Sequence, residues 1–198
     1  MRAGKYMFIV PENTMEVELV KLLRTIQLDA SDSFVFDKPA EPGEWAISGA
    51  LLFANLDSAT LSGKRRTAFR SGFLGISSFG WSTLAQIVEA SEEQRSTAVE
   101  QLAAGLVERC GAPDLATGRA AAEEEMAFAA SLCDHAPGML VAVSRRYENE
   151  VIRESFRTLQ ANSRAKPAPV FSFVEVVGED AAAPERIDLA GLLDRARQ

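Results

Sequence analysis

Apolar and polar positions alternate with period two over "VKLLRTIQLD", residues 20–29. Leu22, Arg24, Ile26 and Leu28 fall on one side, and Leu23, Thr25 and Gln27 on the other. That is the pattern of a half-buried strand. Phe34 to Phe36 read as a second, short strand before the loop "DKPAEPGE". "WAISGALLFANL", 45–56, is apolar nearly throughout. Its length favours a central strand, with Gly49 as a bend or bulge. "STLAQIVEAS", 82–91, and "MLVAVSRRY", 139–147, read as further strands, and "VFSFVEVV", 170–177, as a strong one.

Two stretches change the period. Ser91-Glu92-Glu93-Gln94 fits a capping box, in which the serine hydroxyl accepts from the N3 amide while Gln94 reaches back. Val99, Leu102, Leu106 and Val107 follow at helical spacing, and Gly111 with Pro113 ends the run. A second helix, Ala-rich, is expected over about 116–134, with Met126, Ala129, Ala130 and Cys133 on one stripe. "ENEVIRESFRTLQ" fits both periods. Ile152, Phe156 and Leu159 suit a helix, whereas a strand would put Glu154 beside Ile152 and Phe156, so the helix is favoured. A final short helix is expected at "IDLAGLLDRA".

Strands, then two helices, then strands is the order of an α+β fold: an antiparallel or mixed sheet with a helical pair packed on one face. Strict strand–helix alternation is absent, which argues against a doubly wound nucleotide fold. Three segments are expected: a flexible N-terminal arm over 1–18, one α+β domain over 19–161, and a strand–helix appendage over 162–198 behind the Pro-rich linker "SRAKPAP". Patterning begins near Met15 or Val20, either of which could be the true start.

The chain has 198 residues, 47% of them hydrophobic, enough for a core without disulfides or metal. Its net charge of −7 argues against a dedicated nucleic-acid binder. The two cysteines, Cys110 and Cys133, form no CxxC pair and read as free thiols of a reducing compartment. The apolar run Tyr6–Val10 is too short for a signal-peptide core, and no stretch suits a membrane span. The cytoplasm is the expected compartment.

The candidate chemistry centres on "SGKRRTAFRSGFLGISSFGW", 62–81. It matches neither GxGxxG nor a P-loop, because Trp81 stands where the P-loop lysine belongs and the loop feeds a strand. Amides freed by glycine, with guanidinium groups beside them, could still hold a carboxylate or phosphate. The candidate ligand-binding residues are Arg66, Arg70, Ser71, Gly72, Gly75 and Trp81. The plainer reading makes the glycines turn-formers, the basic run a solvated surface, and Phe69, Phe73, Phe79 and Trp81 core.

Cys133-Asp134-His135 holds the only histidine and sits at a helix end, where a histidine complements the dipole. Glu123, Glu124 and Glu125 point in three directions on a helix, so at most one faces inward. Arg145, Arg146, Arg153 and Arg157 lie among Glu148, Glu150 and Glu154; with 149–159 helical, Arg153 and Arg157 stand one turn apart and could clamp an anionic ligand or an acidic partner, the plainer reading being surface pairing with those glutamates.

The runs "KLLRTIQLDASDSFVF", "AEPGEWAISGALLF", "FRSGFLGISSFGWSTL" and "EEEMAFAASLCDH" resemble an uncharacterised bacterial family, a domain of unknown function, over about 20–160. The resemblance implies a small soluble bacterial protein and assigns no activity or site. The leading expectation is therefore a non-catalytic binding or accessory protein for a protein partner or a small anionic ligand. No catalytic residue, cofactor or metal, and no nucleic-acid or membrane partner, is expected. The alternative is a small enzyme acting on an anionic metabolite. Arginines of 64–70 would bind the substrate there, and Cys133 or a glutamate of 123–125 would be the reactive group.

Overall fold

The computed structural model describes residues 19–28, 32–56, 60–149, 151–161 and 174–177. Its strands are β1 (Leu19–Thr25), β2 (Trp45–Ile47), β3 (Phe73–Gly75), β4 (Trp81–Ser82), β5 (Leu84–Ser91), β6 (Leu140–Glu148), β7 (Val151–Ala161) and β8 (Val174–Val177). They form one eight-stranded sheet in the order β4-β3-β2-β1-β5-β6-β7-β8. Every pairing in it is antiparallel. Helices α3 (Glu92–Cys110) and α4 (Leu115–Ser131) pack on each other and on β1. The chain is α+β.

Leu22 and Leu23 lie on opposite faces of β1 by strand alternation, yet both are 0% exposed. The strand expected to be half-buried is thus covered on both sides. The helical pair contributes Val99, Leu102, Leu106, Ala122, Met126 and Ala129 to the main core. α3 begins at the capping box read from the sequence: Gln94 N donates to Ser91 Oγ at 3.2 Å and Ser91 N to Gln94 Oε1 at 3.0 Å. It ends on Gly111, which is left-handed.

Several expectations are corrected. Phe34 to Phe36 is not a strand: Asp32–Val35 forms a single helical turn, α1, and Phe36 beyond it is buried in a second, smaller core with Phe53, Leu61, Ala68 and Phe69. The strand expected over 45–56 stops at Ile47. Gly49 takes φ 78°, and Ala50–Phe53 follows as a 3₁₀ turn. α4 ends at Ser131 rather than near 134, because Leu132 and Cys133 bond back to Ala129 and Ala130 with shortened turns. The basic run over 63–71 is a helix, α2 (Gly63–Ser71).

The stretch expected to be helical after Tyr147 is strand β7, paired with β6 over nine positions from Leu140↔Leu159 to Glu148↔Val151. Ile152, Glu154, Phe156 and Thr158 turn inward and their neighbours outward. The inward glutamate that argued against a strand faces Arg145 across the hairpin. The segments read as an arm, linker and final helix lie outside the described residues.

Candidate functional site

The glycine-rich loop does bind a carboxylate, and the carboxylate is the protein's own. Glu44, 9% exposed, accepts from Ser77 N at 2.9 Å and Ser78 N at 2.8 Å through Oε2, and from Glu41 N at 2.6 Å through Oε1. A side chain at Gly75 would come within 2.7 Å of Glu44 Oε2, so only glycine admits the carboxylate there. Phe79 lies against Gly105 of α3, where a Cβ would stand 2.2 Å from the ring. Arg109 lies over the same ring at 4.9 Å and donates to Ser78 O. These contacts fasten the loop between β2 and α3 and occupy its free amides.

The basic helix is a different case. α2 carries Lys64, Arg65, Arg66 and Arg70 in nine residues with no acidic side chain. Ala68 and Phe69 are buried, while the four cations are exposed. Like charges one turn apart, as Arg66 and Arg70 are, disfavour a helix by a few tenths of a kcal/mol. Cations near a helix start also oppose its dipole. Among the described residues none of the four enters an ion pair. Arg66 and Arg70 form one wall of a cleft of about 480 Å³. Arg145, Arg146, Ser144 and Tyr147 of β6 form the other, with Leu61 and Phe69 between. Among the described residues no carboxylate lines it, although the chain carries a net charge of −7.

Arg145 closes the cleft floor and is saturated. Its Nε donates to Glu154 Oε1 at 2.6 Å, and Nη1 donates to Phe69 O at 3.0 Å and Gly72 O at 2.8 Å. Nη2 donates to the Ser48 carbonyl and, at 3.1 Å, to Ser48 Oγ. The guanidinium thereby ties β6, β7, the end of β2 and the end of α2 together. Burial lowers its pKa from the usual guanidinium value, against the opposing pull of Glu154. Having no free donor and a carboxylate partner at 2.6 Å, it is a structural tie rather than a ligand contact. Tyr147 is anchored likewise. Its ring stacks on Phe69 at 4.6 Å and its hydroxyl bonds to Phe53 O at 3.0 Å.

Of the three consecutive glutamates, Glu123 bonds Arg95 at 2.8 Å, Glu124 is exposed, and Glu125 is the inward one. Burial first, then Glu154, pushes the Glu125 carboxyl up from 4.5 to about 7, and Arg145 only partly offsets them. The folded protein therefore holds a proton that the unfolded chain releases near 4.5. The associated stability is present at acidic pH and lost as pH rises towards about 7, worth up to roughly 3 kcal/mol. Glu125→Gln is expected to stabilise the protein by on the order of 2 kcal/mol at pH 8 and hardly at all at pH 4.5. Urea unfolding at the two pH values measures this, and an equal effect at both would contradict it.

The structure distributes the six candidate ligand residues. Arg66 and Arg70 reach the cleft. Ser71 Oγ bonds back to Thr67 O at 3.2 Å, and the Gly72 carbonyl serves Arg145. Gly75 is filled by Glu44, and Trp81 packs against Phe53 at 5.3 Å. Of the second arginine cluster only Arg145 turns towards α2; Arg146 alternates to the opposite face of β6, beside Glu148 at 3.8 Å. Arg153 stays outside, beside Glu148 at 3.5 Å.

Nothing from 123–135 lines the cleft. Cys133 is 2% exposed, bonds to Ala129 O, and burial pushes its thiol up to about 11. His135 is exposed, and its carbonyl accepts from Lys21 at 3.0 Å. Among the described residues no His, Cys, Asp and Glu group could hold a metal, and no helix is long and apolar enough to cross a membrane.

The model of a family described as of unknown function, DUF6505, matches residues 20–170, a span that contains Glu44, all four arginines of the cleft and the β6–β7 hairpin. No curated protein and no solved structure matches the chain.

Proposed function

Starting from a chain that belongs to this family of unknown function, we propose a non-catalytic binding protein whose ligand is an anion held between α2 and β6. The observation that carries this reading is the pair Arg66 and Arg70, which enter no ion pair among the described residues and stand on the wall of a cleft whose described lining holds no carboxylate. Such an arrangement lowers the stability of the free protein, and an anion relieves it. The placement in a bacterial cytoplasm rests on the family resemblance and on two free thiols, Cys110 and Cys133.

The enzymatic alternative needs a reactive group in the same cavity. Cys133 is buried with a high thiol pKa, and no glutamate of 123–125 lines the cleft. The binding reading is therefore favoured.

Arg66→Ala and Arg70→Ala are each expected to weaken anion binding about 10-fold or more, the worth of a charge-assisted hydrogen bond. Stability should be unchanged or slightly raised, because a like-charge pair is removed. Isothermal titration and thermal unfolding of the same samples separate the two effects. A variant that binds normally, or one that fails to bind only because it unfolds, contradicts the assignment.

A further inference from the structure

We infer that α4 and β7 form a pH-responsive seam, in which one proton held between the carboxyls of Glu125 and Glu154 keeps the helix on the strand and its loss releases Phe128 from Phe156.

Two periodicities place these groups together. Glu125 and Phe128 stand three residues apart on α4 and share a helix face. Glu154 and Phe156 stand two apart on β7 and share its inward face. Phe128 meets Phe156 edge to face, with ring centroids 5.7 Å apart. The turn of α4 before Phe128 thereby brings Glu125 within the field of Glu154.

The hydrogen bonds around Glu154 leave a place for one proton. Among the described residues both of its donors fall on Oε1, Arg145 Nε at 2.6 Å and Ser48 Oγ at 2.5 Å, which leaves Oε2 open. Arg145 gives its other N–H groups to Phe69 O, Gly72 O and Ser48, so none is left for Glu125. Glu125 enters no ion pair among the described residues. Two carboxyls thus share one guanidinium in a partly buried place, where holding one proton between them costs less than ionising both. Protonated Glu125 is the donor that Glu154 Oε2 lacks.

The other charges nearby do not relieve the pair. Glu124, on the same helix, is exposed and adds repulsion. On α3, Arg95 is engaged by Glu123 and Glu100 by Arg119. Lys21 of β1 donates to the His135 carbonyl beyond the end of α4. Burial and Glu154 hold the Glu125 carboxyl up at about 7, so the proton leaves across the neutral range.

The repulsion that follows acts on the weaker side of the helix. Towards the core α4 buries Ala122, Met126 and Ala129, and two ion pairs fasten it to α3. Towards β7 it offers Phe128, which is 40% exposed even in contact. The helix therefore stays on α3 and tilts its Phe128 side away from the strand.

NMR of the full chain between pH 5.5 and 8.5 tests this. The ring signals of Phe128 and Phe156 are expected to titrate together with a midpoint of about 7. The nuclear Overhauser effect between the two rings, present at pH 5.5, should be lost at pH 8.5. Glu125→Gln cannot ionise, so it should keep the ring contact at both ends and abolish the titration. Glu124→Gln, on the exposed side, should still titrate and still open. A midpoint at the ordinary carboxylate value of 4.5, a titration that survives in Glu125→Gln, or a ring contact retained at pH 8.5 overturns the inference.

Discussion

Arg145→Ala is expected to destabilise the protein by about 3–5 kcal/mol, the usual consequence of removing one partner of a buried ion pair. The side chain is 0% exposed and Glu154 only 17%, so the glutamate is left as an uncompensated, largely buried charge. The carbonyls of Ser48, Phe69 and Gly72 lose their donor in the same step. Against a typical total of about 5–15 kcal/mol, that is a large fraction of the stability. Arg145→Lys should restore little, since one ammonium cannot reach acceptors set around a planar fork. Adding Glu154→Gln to Arg145→Ala should recover part of the loss by removing the stranded charge. Urea denaturation of the three variants measures these differences, and a loss below about 1 kcal/mol for Arg145→Ala would show that the guanidinium is not the tie described.

Glu44→Ala should be the second largest, about 3 kcal/mol, and local in its signature. The amides of Glu41, Ser77 and Ser78 lose their acceptor, and hydrogen bonds to a charged group are worth about 1.5–3 kcal/mol each before the loop relaxes towards water. Hydrogen exchange at Ser77 and Ser78 should accelerate far more than exchange in α3. Added acetate should partly restore both protection and stability, because the amides that hold Glu44 suit any small carboxylate. Unchanged protection at Ser77 and Ser78 would mean that the loop is held by Phe79 on Gly105 and by Arg109 instead.

The parts legible in the sequence were those whose signals are local. The capping box at Ser91 and Gln94, the stop at Gly111 and the period-two strands need only neighbours in the chain. The misread elements are those decided by distant residues. β7 looked helical because its strand pattern buries Glu154, and only Arg145, its partner across the hairpin, makes that burial tolerable. The run after Trp45 looked like one strand because its composition does not show that Gly49 is left-handed.

The site divides along the same line. Cation-rich α2 was visible at 64–70; the amides of the glycine loop, read as able to hold a ligand's carboxylate or phosphate, hold the protein's own Glu44. The identity of that carboxylate, Glu44, lies some thirty residues upstream with no motif to mark it. The docking of α2 on β6 depends on Arg145 and Tyr147 reaching Phe69 and Gly72, a contact with no local signature.

The most direct test of the central claim is amide chemical-shift mapping of the full chain during titration with inorganic phosphate. The account predicts shifts confined to 61–72 and 144–147, with the amides of Ser77 and Ser78, already committed to Glu44, unmoved. Shifts centred on 76–80, or none in either wall of the cleft, would contradict it.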